Sequence, residues 1–399
     1  MATPIFHTFS IPPKHEQWIM TEIYIVGTDM IKFGRFPDRT VPSLGAEVAL
    51  MALDDCGLTI KDIQALYCGN LGEAGSGVGQ RILQLVGQTG IPVVNCANAC
   101  ATGATAFREG YLSVKSRMYD LVLCVGVEQM GRGLLGGGGP GVGIETEGLI
   151  GSATMPAVFA HVGMEHARKY GTTFEQFAKV SVKNHHHSTF NPKAMYQIET
   201  PLEQVMSSEM ISYPNTKLMC SVNVDGAAAA VIASESAAKR LGLMKRAVRI
   251  RASALSSDPY SPRNLVMPDF NGATQLAAKA AYEQAGLGPK DVNLVELHDC
   301  FATTEIVHYE NLGLCGEGEG GRLIDEGATT IGGRIPVNMS GGLLSKGHPI
   351  GATGIANLYE VTTQLRGEAD RRQVPGARIG MTHVVGMGSS CAVHLLEKA

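Results

Sequence analysis

The chain is poor in aromatic residues, at 6% Phe, Trp and Tyr with a single Trp. It has no apolar run of the about 18 residues that a membrane-spanning helix needs, so no span is expected. Residues Met1 to Trp18 hold histidines and prolines rather than a basic segment followed by an apolar one. Glu397-Lys398-Ala399 is not a familiar peroxisomal ending. Neither address is expected, and the cytoplasm is the expected location. Neither sign of charge dominates: 33 Lys and Arg stand against 37 Asp and Glu, for a net charge of -4. That balance gives no electrostatic footprint for nucleic acid or an anionic membrane, although a local basic pocket for a phosphorylated ligand stays open. Nine cysteines include no CxxC pair, which argues against a structural zinc ribbon within the chain. In a reducing compartment most are expected to be thiols, many of them small buried hydrophobes. With 18 Pro and no glycine period of three, collagen-like and disordered classes are excluded as well.

Glycine is what the chain has in excess, 49 of 399 residues, against a usual share near 7%. Each glycine costs backbone entropy on folding, so the excess calls for a structural or chemical reason. The length suits two or three domains with ample core.

Apolar patterning predicts strands at Ile23–Val26, Ile63–Tyr67, Ile91–Asn95, Leu121–Val127, Val292–Leu297 and Ile379–Val385. Helices are predicted at Pro42–Cys56 and Gly103–Val114, an alternation that implies an α/β fold. Residues 131–214 break the pattern with a Gly-rich segment at Gly133–Gly143 and helical stretches at Pro156–Tyr170 and Phe174–His187. Sheet-like sequence resumes at Cys220–Val224 and Ala227–Ser234.

The chain also echoes itself. Asp54-Asp55-Cys56-Gly57-Leu58 with Lys61-Asp62-Ile63 returns, at one constant offset, as Glu283-Gln284-Ala285-Gly286-Leu287 with Lys290-Asp291-Val292. Gly103-Ala104-Thr105 echoes in Gly351-Ala352-Thr353, and Leu121–Val127 in Ile379–Val385. Pieces repeated in one order imply a duplication, with a site shared between two halves.

Four stretches carry chemistry. Cys100 follows a strand and precedes a helix, where orphan amides would lower a thiol pKa; a buried packing cysteine is the plain alternative. His298-Asp299-Cys300-Phe301 ends a strand, where α/β sites gather and where His298 and Cys300 could move protons; a polar strand end at the surface is the alternative. In Ser340 to Gly351, His348 is held between Gly347 and Pro349, which suits a base of fixed geometry; an exposed turn histidine is the alternative. Gly386-Met387-Gly388-Ser389-Ser390 offers bare amides for an oxygen gaining charge, or simply a tight turn between strands. The run His185-His186-His187 points in three directions on a helix and cannot chelate one ion.

Together these stretches resemble the thiolase superfamily over nearly all of residues 21–398, most of all its sterol-carrier-protein type. The resemblance rests on Asn98-Ala99-Cys100-Ala101-Thr102-Gly103, Gly126 to Met130, Asn184 to Ser188, the His298 to Phe301 tetrad and Gly347-His348-Pro349. It implies a thiolase fold: duplicated α/β halves in an α-β-α-β-α layering with an inserted loop domain. The expected division is an extension at 1–20, a first domain at 21–130 and 215–245, the loop domain at 131–214 and a second domain at 246–399. The resemblance makes Cys100 the nucleophile and His348 its activator, and Met130, Gly136, Gly342 and Met387 are expected to bind substrate. The tetrad of ordinary thiolases begins Asn-Glu, whereas here it begins His298-Asp299. Their C-terminal Cys-x-Gly is Gly386-Met387-Gly388 here, so the resemblance passes the second acid/base role to Cys300. The amides of Gly388 and Cys100 would form one oxyanion hole, and His298 with His348 the other.

The activity implied is cleavage of a 3-oxoacyl-CoA through an acyl-cysteine, or the reverse Claisen condensation. CoA is the co-substrate, with no metal and no resident cofactor. A CoA-ester aldolase or a non-catalytic scaffold subunit stays open beside it. The implied partners are a second copy of the chain and a separate small zinc-ribbon/OB-fold protein.

Overall fold

The computed structural model describes residues 21–131, 155–259, 270–387 and 390–399. Gly136 and Gly388 lie outside them, as does the segment 1–20. The first stretch runs β1 (Ile23–Met30), α1 (Val41–Asp55), β2 (Ala65–Gly69), α2 (Val78–Val86), β3 (Val93–Cys96), α3 (Thr102–Lys115) and β4 (Leu121–Glu128). Next come α4 (Met155–Tyr170), α5 (Phe174–Ser188), α6 (Leu202–Ser207) and the hairpin β5 (Met210–Ser212) with β6 (Asn215–Thr216). The chain then forms β7 (Gly226–Ser234), α7 (Glu235–Arg240), β8 (Val248–Ser256), α8 (Phe270–Ala285), β9 (Leu294–Glu296), α9 (Ala302–Asn311) and α10 (Gly320–Asp325). It ends with α11 (Ile350–Arg366), β10 (Ile379–Gly386) and β11 (Ser390–Lys398). Among the described residues no helix is long and apolar enough to cross a membrane.

Nine strands form a sheet in the order β3-β2-β4-β7-β1-β8-β11-β10-β9. Its two halves repeat one another about the antiparallel β1–β8 junction, where Tyr24 faces Arg249. In the first, β2 runs parallel to β3 and β4 while β7 is antiparallel to β1 and β4. In the second, β9 runs parallel to β10 while β11 is antiparallel to β8 and β10. A parallel bridge from Val295 to Val337 stands where β3 stands in the first half. The echoes in the sequence are therefore equivalent elements: β2 with β9, α3 with α11, β4 with β10.

Burial explains the apolar runs. On β1, Ile23 and Ile25 pack inward with Phe107 and Ile355, while Tyr24 and Val26 pack outward with Leu44 and Val48 of α1. A strand covered on both faces needs no polar alternation, and all of β4 is buried. A third apolar cluster joins α8 and α9 to β11. Between the half-sheets run α3 and α11. A side chain on Gly103 would meet the carbonyl of Gly351 at 2.6 Å, so the two helices touch near their N-termini. That close approach needs glycine, and it brings the segments just before both helices together.

One predicted element differs. Cys220–Val224 is extended but joins no sheet. Ser221 donates its amide to the Cys300 carbonyl (2.8 Å), Val222 donates to Leu343 (3.2 Å), and the Val222 carbonyl accepts the amide of His348 (2.9 Å). Its backbone groups are satisfied by two loops rather than by a strand ladder, which apolar patterning cannot distinguish.

Candidate active site

Cys100 sits just before α3, and the residue ahead of it, Ala99, has φ 46°. A non-glycine residue in this left-handed region costs about 1–2 kcal/mol. The turn is held by Thr102, which donates its hydroxyl to the Ala99 carbonyl (2.6 Å) and accepts the Asn98 amide (2.8 Å).

His348 stands at the equivalent place before α11, with Gly347 at φ 115° on one side and Pro349 on the other. Thr353 donates its hydroxyl to the Pro349 carbonyl (3.0 Å), so the same oxygen accepts from Nδ1 of His348 at 2.7 Å. This fixes the tautomer: Nδ1 carries the proton, and Nε2 is a free lone pair with no hydrogen-bond partner. His298 follows β9, with both ring nitrogens unpartnered. Its ring meets that of His348 edge-on at 5.2 Å. The Cys100 sulfur and one nitrogen of each ring all lie within 4.8 Å of one another.

Neither histidine is a surface residue, since His298 is 0% and His348 1% exposed. Cys300 is buried too, whereas Cys100 keeps partial exposure. Protein surrounds the thiol, and desolvation pushes it up to about 12, against stabilisation of the thiolate by the amides of Met387 and of Cys100 itself. The lowered pKa expected from the helix terminus is thus not found, because burial outweighs the amides. Burial, aided by the charge of Lys346, drives His348 down to about 3. His298 is held well below the usual histidine range by burial, then by His348 and His308. Cys300 is raised well above its ordinary value by burial and then by the nearby charge of Cys100, while Thr304 opposes the shift. At rest the site is neutral: a thiol beside two neutral imidazoles.

A buried polar network holds the loop that carries His348. Asp299 accepts the amides of Leu343 (2.8 Å) and Leu344 (3.3 Å), along with the side-chain amide of Asn184 (2.8 Å). Asn184 also donates to Glu305 (2.7 Å), which pairs with Lys183 and accepts from Tyr309 and Asn338. Glu296 accepts the amide of Ser340 (2.9 Å) and faces Lys346 (3.4 Å). Gly342, expected to bind substrate, adopts φ 58° and has the Asp299 carboxylate where a side chain would stand. Met387 brings its amide to Cys100. Met130 is buried and donates its amide to Asp225 at 2.9 Å.

The histidine run separates as expected. His185 lies against Ser345 (3.3 Å), His186 against Glu199 (2.7 Å), and His187 bonds the Asn338 carbonyl (3.0 Å) and the Ile331 amide (3.1 Å). Sequence reasoning assigned no role in the site to Thr353, to Asn184 or to segment 220–224. Thr353 had a local signal, a hydroxyl one turn past the proline that follows His348. Asn184 opens one of the motifs that carry the family resemblance, whereas segment 220–224 had no signal beyond its strand-like pattern.

The model for the N-terminal domain of thiolases matches residues 23–212, and that for a thiolase C-terminal domain-like unit matches residues 264–398. Sterol carrier protein 2 of Oryctolagus cuniculus is 40% identical over 395 residues, covering 95% of this chain and 72% of its own. The acetyl-CoA acetyltransferase of Methanothermobacter thermautotrophicus is 39% identical, covering 95% of this chain and all of its own (100%). Among solved structures, the Ltp2-ChsH2(DUF35) aldolase superposes with a TM-score of 0.82 at 23% identity, covering 94% of this chain and 98% of that one. The acetyl-CoA acetyltransferase of Syntrophomonas wolfei gives 0.75 at 20% identity, covering 95% and 99%. At these identities both structural likenesses speak for the fold.

Proposed function

The chain belongs to the thiolase superfamily, and from that premise we propose that it makes or breaks a carbon–carbon bond next to a CoA thioester, through an acyl group carried on Cys100. The observation that carries this reading is the convergence of the Cys100 sulfur with the rings of His298 and His348, three of whose nitrogens are unpartnered.

The free Nε2 of His348 takes the thiol proton as the sulfur attacks the keto carbon of a 3-oxoacyl-CoA. Because thiol and imidazole are neutral at rest, transfer and attack proceed together. Charge developing on the keto oxygen is met by His298 and by the newly protonated His348. The Cα–Cβ bond then breaks, its electron pair passing into a thioester enolate that Cys300 protonates. The thiol of a second CoA gives its proton to the Cys300 thiolate and attacks the acyl-Cys100, which releases the shortened acyl-CoA; the departing Cys100 sulfur takes its proton back from His348. The amides of Cys100 and Met387 flank that sulfur, and Gly388 is proposed to complete their oxyanion hole. CoA acts as co-substrate, and the reverse sequence is a Claisen condensation.

The second reading is retro-aldol cleavage of a CoA ester. It is kept because the solved structures that share this fold include an aldolase as well as an acetyltransferase, so the fold by itself accommodates either reading. We also propose a homodimer. In its support, β3 is a sheet edge with Val94 43% exposed, and Leu85 beside it is 58% exposed. The small zinc-ribbon/OB-fold partner stays with this proposal, as does the scaffold reading that would depend on it.

A panel of 3-oxoacyl-CoAs with and without CoA tests the scheme. The expected outcome is a chain-shortened acyl-CoA formed only with CoA present, and an acyl adduct on Cys100 when CoA is withheld. Release of an aldehyde or ketone without CoA consumption, unchanged in Cys100→Ala, would establish the aldol reading instead. If activity appears only with a partner protein and is equal for Cys100→Ala, the chain is a scaffold.

A further inference from the structure

The cluster has a second chemical capacity that acyl transfer does not use. Among the described residues, Cys100, His298 and His348 are the group of His, Cys, Asp and Glu whose ligating atoms converge. Both nitrogens of His298 and Nε2 of His348 are buried without a partner, where an unsatisfied polar atom costs free energy. We propose that the resting enzyme binds one thiophilic divalent cation of the zinc class on Cys100, His298 and His348, and that this reversibly blocks the thiol.

The donor set selects the metal. One sulfur and two imidazoles with no carboxylate among them suit zinc, whereas magnesium and calcium need oxygen. A tetrahedral site with Zn–S near 2.3 Å and Zn–N near 2.0–2.1 Å needs donors about 3.3–3.6 Å apart. No pair here is separated by more than 4.8 Å, so small ring rotations close the site. His348 is already oriented as a ligand: its Nδ1 donates to Thr353 at 2.7 Å, the outer hydrogen bond that metal-bound histidines make. The Lys346 ammonium, whose charge disfavours a cation at His348, is paired with Glu296 (3.4 Å) and bonded to Asn357 (3.2 Å), which offsets part of that repulsion. On binding, the Cys100 thiol gives its proton to solvent and its sulfur to the metal. Each histidine gives a lone pair, nothing is oxidised, and a water fills the fourth position. The ion occupies both nucleophile and base, so it must leave before Cys100 can be acylated. The inference rests on coordination geometry and is independent of which carbon–carbon reaction the site performs.

The test uses the full chain, reduced and stripped with a chelator, and reads binding rather than turnover. Titration with Zn²⁺ is followed by calorimetry, and titration with Co²⁺ by its thiolate-to-metal absorption band. One ion per chain is expected, together with Zn²⁺ protection of Cys100 from iodoacetamide, read by peptide mass. Cys100→Ala should lose the Co²⁺ band, and His298→Gln, which removes a ligand, should weaken binding by more than the about 10- to 100-fold typical of losing an outer hydrogen-bond partner. Binding and band unchanged in Cys100→Ala would place the ion on other thiols and overturn the proposal. So would the absence of one-to-one binding by the unaltered chain. Should Cys100→Ala fail to fold, the alkylation protection and His298→Gln decide the matter.

Discussion

The two halves of the sheet have the same strand order and use their strand ends differently. In the first half, β4 ends at Glu128, which accepts four hydrogen bonds, from Asn70, Leu71, Gly72 and Gly351. That carboxylate ties the β2 loop to the start of α11 and leaves no acceptor aimed at a substrate. In the second half, the loop after β9 carries His298 and Cys300, and β10, the equivalent of β4, ends at Gly386, just before Met387, whose amide lies beside the Cys100 sulfur. Before the paired central helices, one half presents a thiol and the other an imidazole. Duplication thus provided one scaffold twice: His298, Cys300 and His348, the proposed acid and base groups, stand in one copy, and the other holds Cys100, the proposed nucleophile, and a structural carboxylate.

The sharpest way to break that asymmetry is to remove the thiol. Cys100→Ala should lower kcat about 10⁴-fold or more and abolish the acyl adduct seen by intact mass. His348→Ala should cost about 10²- to 10⁴-fold, as expected of a general base.

Proton ownership between the halves is next. With Cys100 pushed up to about 12 and His348 down to about 3, no resting ion pair spans the two helices. The thiolate fraction then rises about tenfold per pH unit below the thiol pKa. Inactivation of the metal-free enzyme by iodoacetamide should therefore keep accelerating between about pH 6 and pH 9. A plateau from about pH 7 would mean a preformed thiolate–imidazolium pair.

A smaller effect tests how the second half aims its base. Thr353→Val leaves Nδ1 of His348 without its acceptor. It should reduce kcat about 10-fold with little change in KM, and Thr353→Ser should restore most of the loss. Smallest for activity is Glu128→Gln, which replaces an acceptor of four hydrogen bonds by an amide. It should lower stability by about 1–3 kcal/mol in urea unfolding while leaving kcat near its original value.

Much of this was legible in the chain. The echo around Asp62 and Asp291 marked equivalent elements, and Cys100, His298, Cys300 and His348 were singled out by their places at strand ends and helix starts. Environment was not legible. A thiol before a helix reads as acidic, yet desolvation made Cys100 the reverse. Nothing along the chain gave Asp299 a task, yet it is fully buried and holds the turn from Gly342 to Leu344. Cys220–Val224 reads as a strand, yet the amides of Ser221 and Val222 bond the loops that carry Cys300 and His348.

The sequence by itself determined the α/β alternation, the doubled plan and the residue types of the site, because these follow from local periodicity and from the order of chemical groups along the chain. Only the tertiary structure decided which groups meet, who holds the proton and what supports the loops. Those properties depend on contacts between residues far apart in the chain, and on how completely protein replaces water around them.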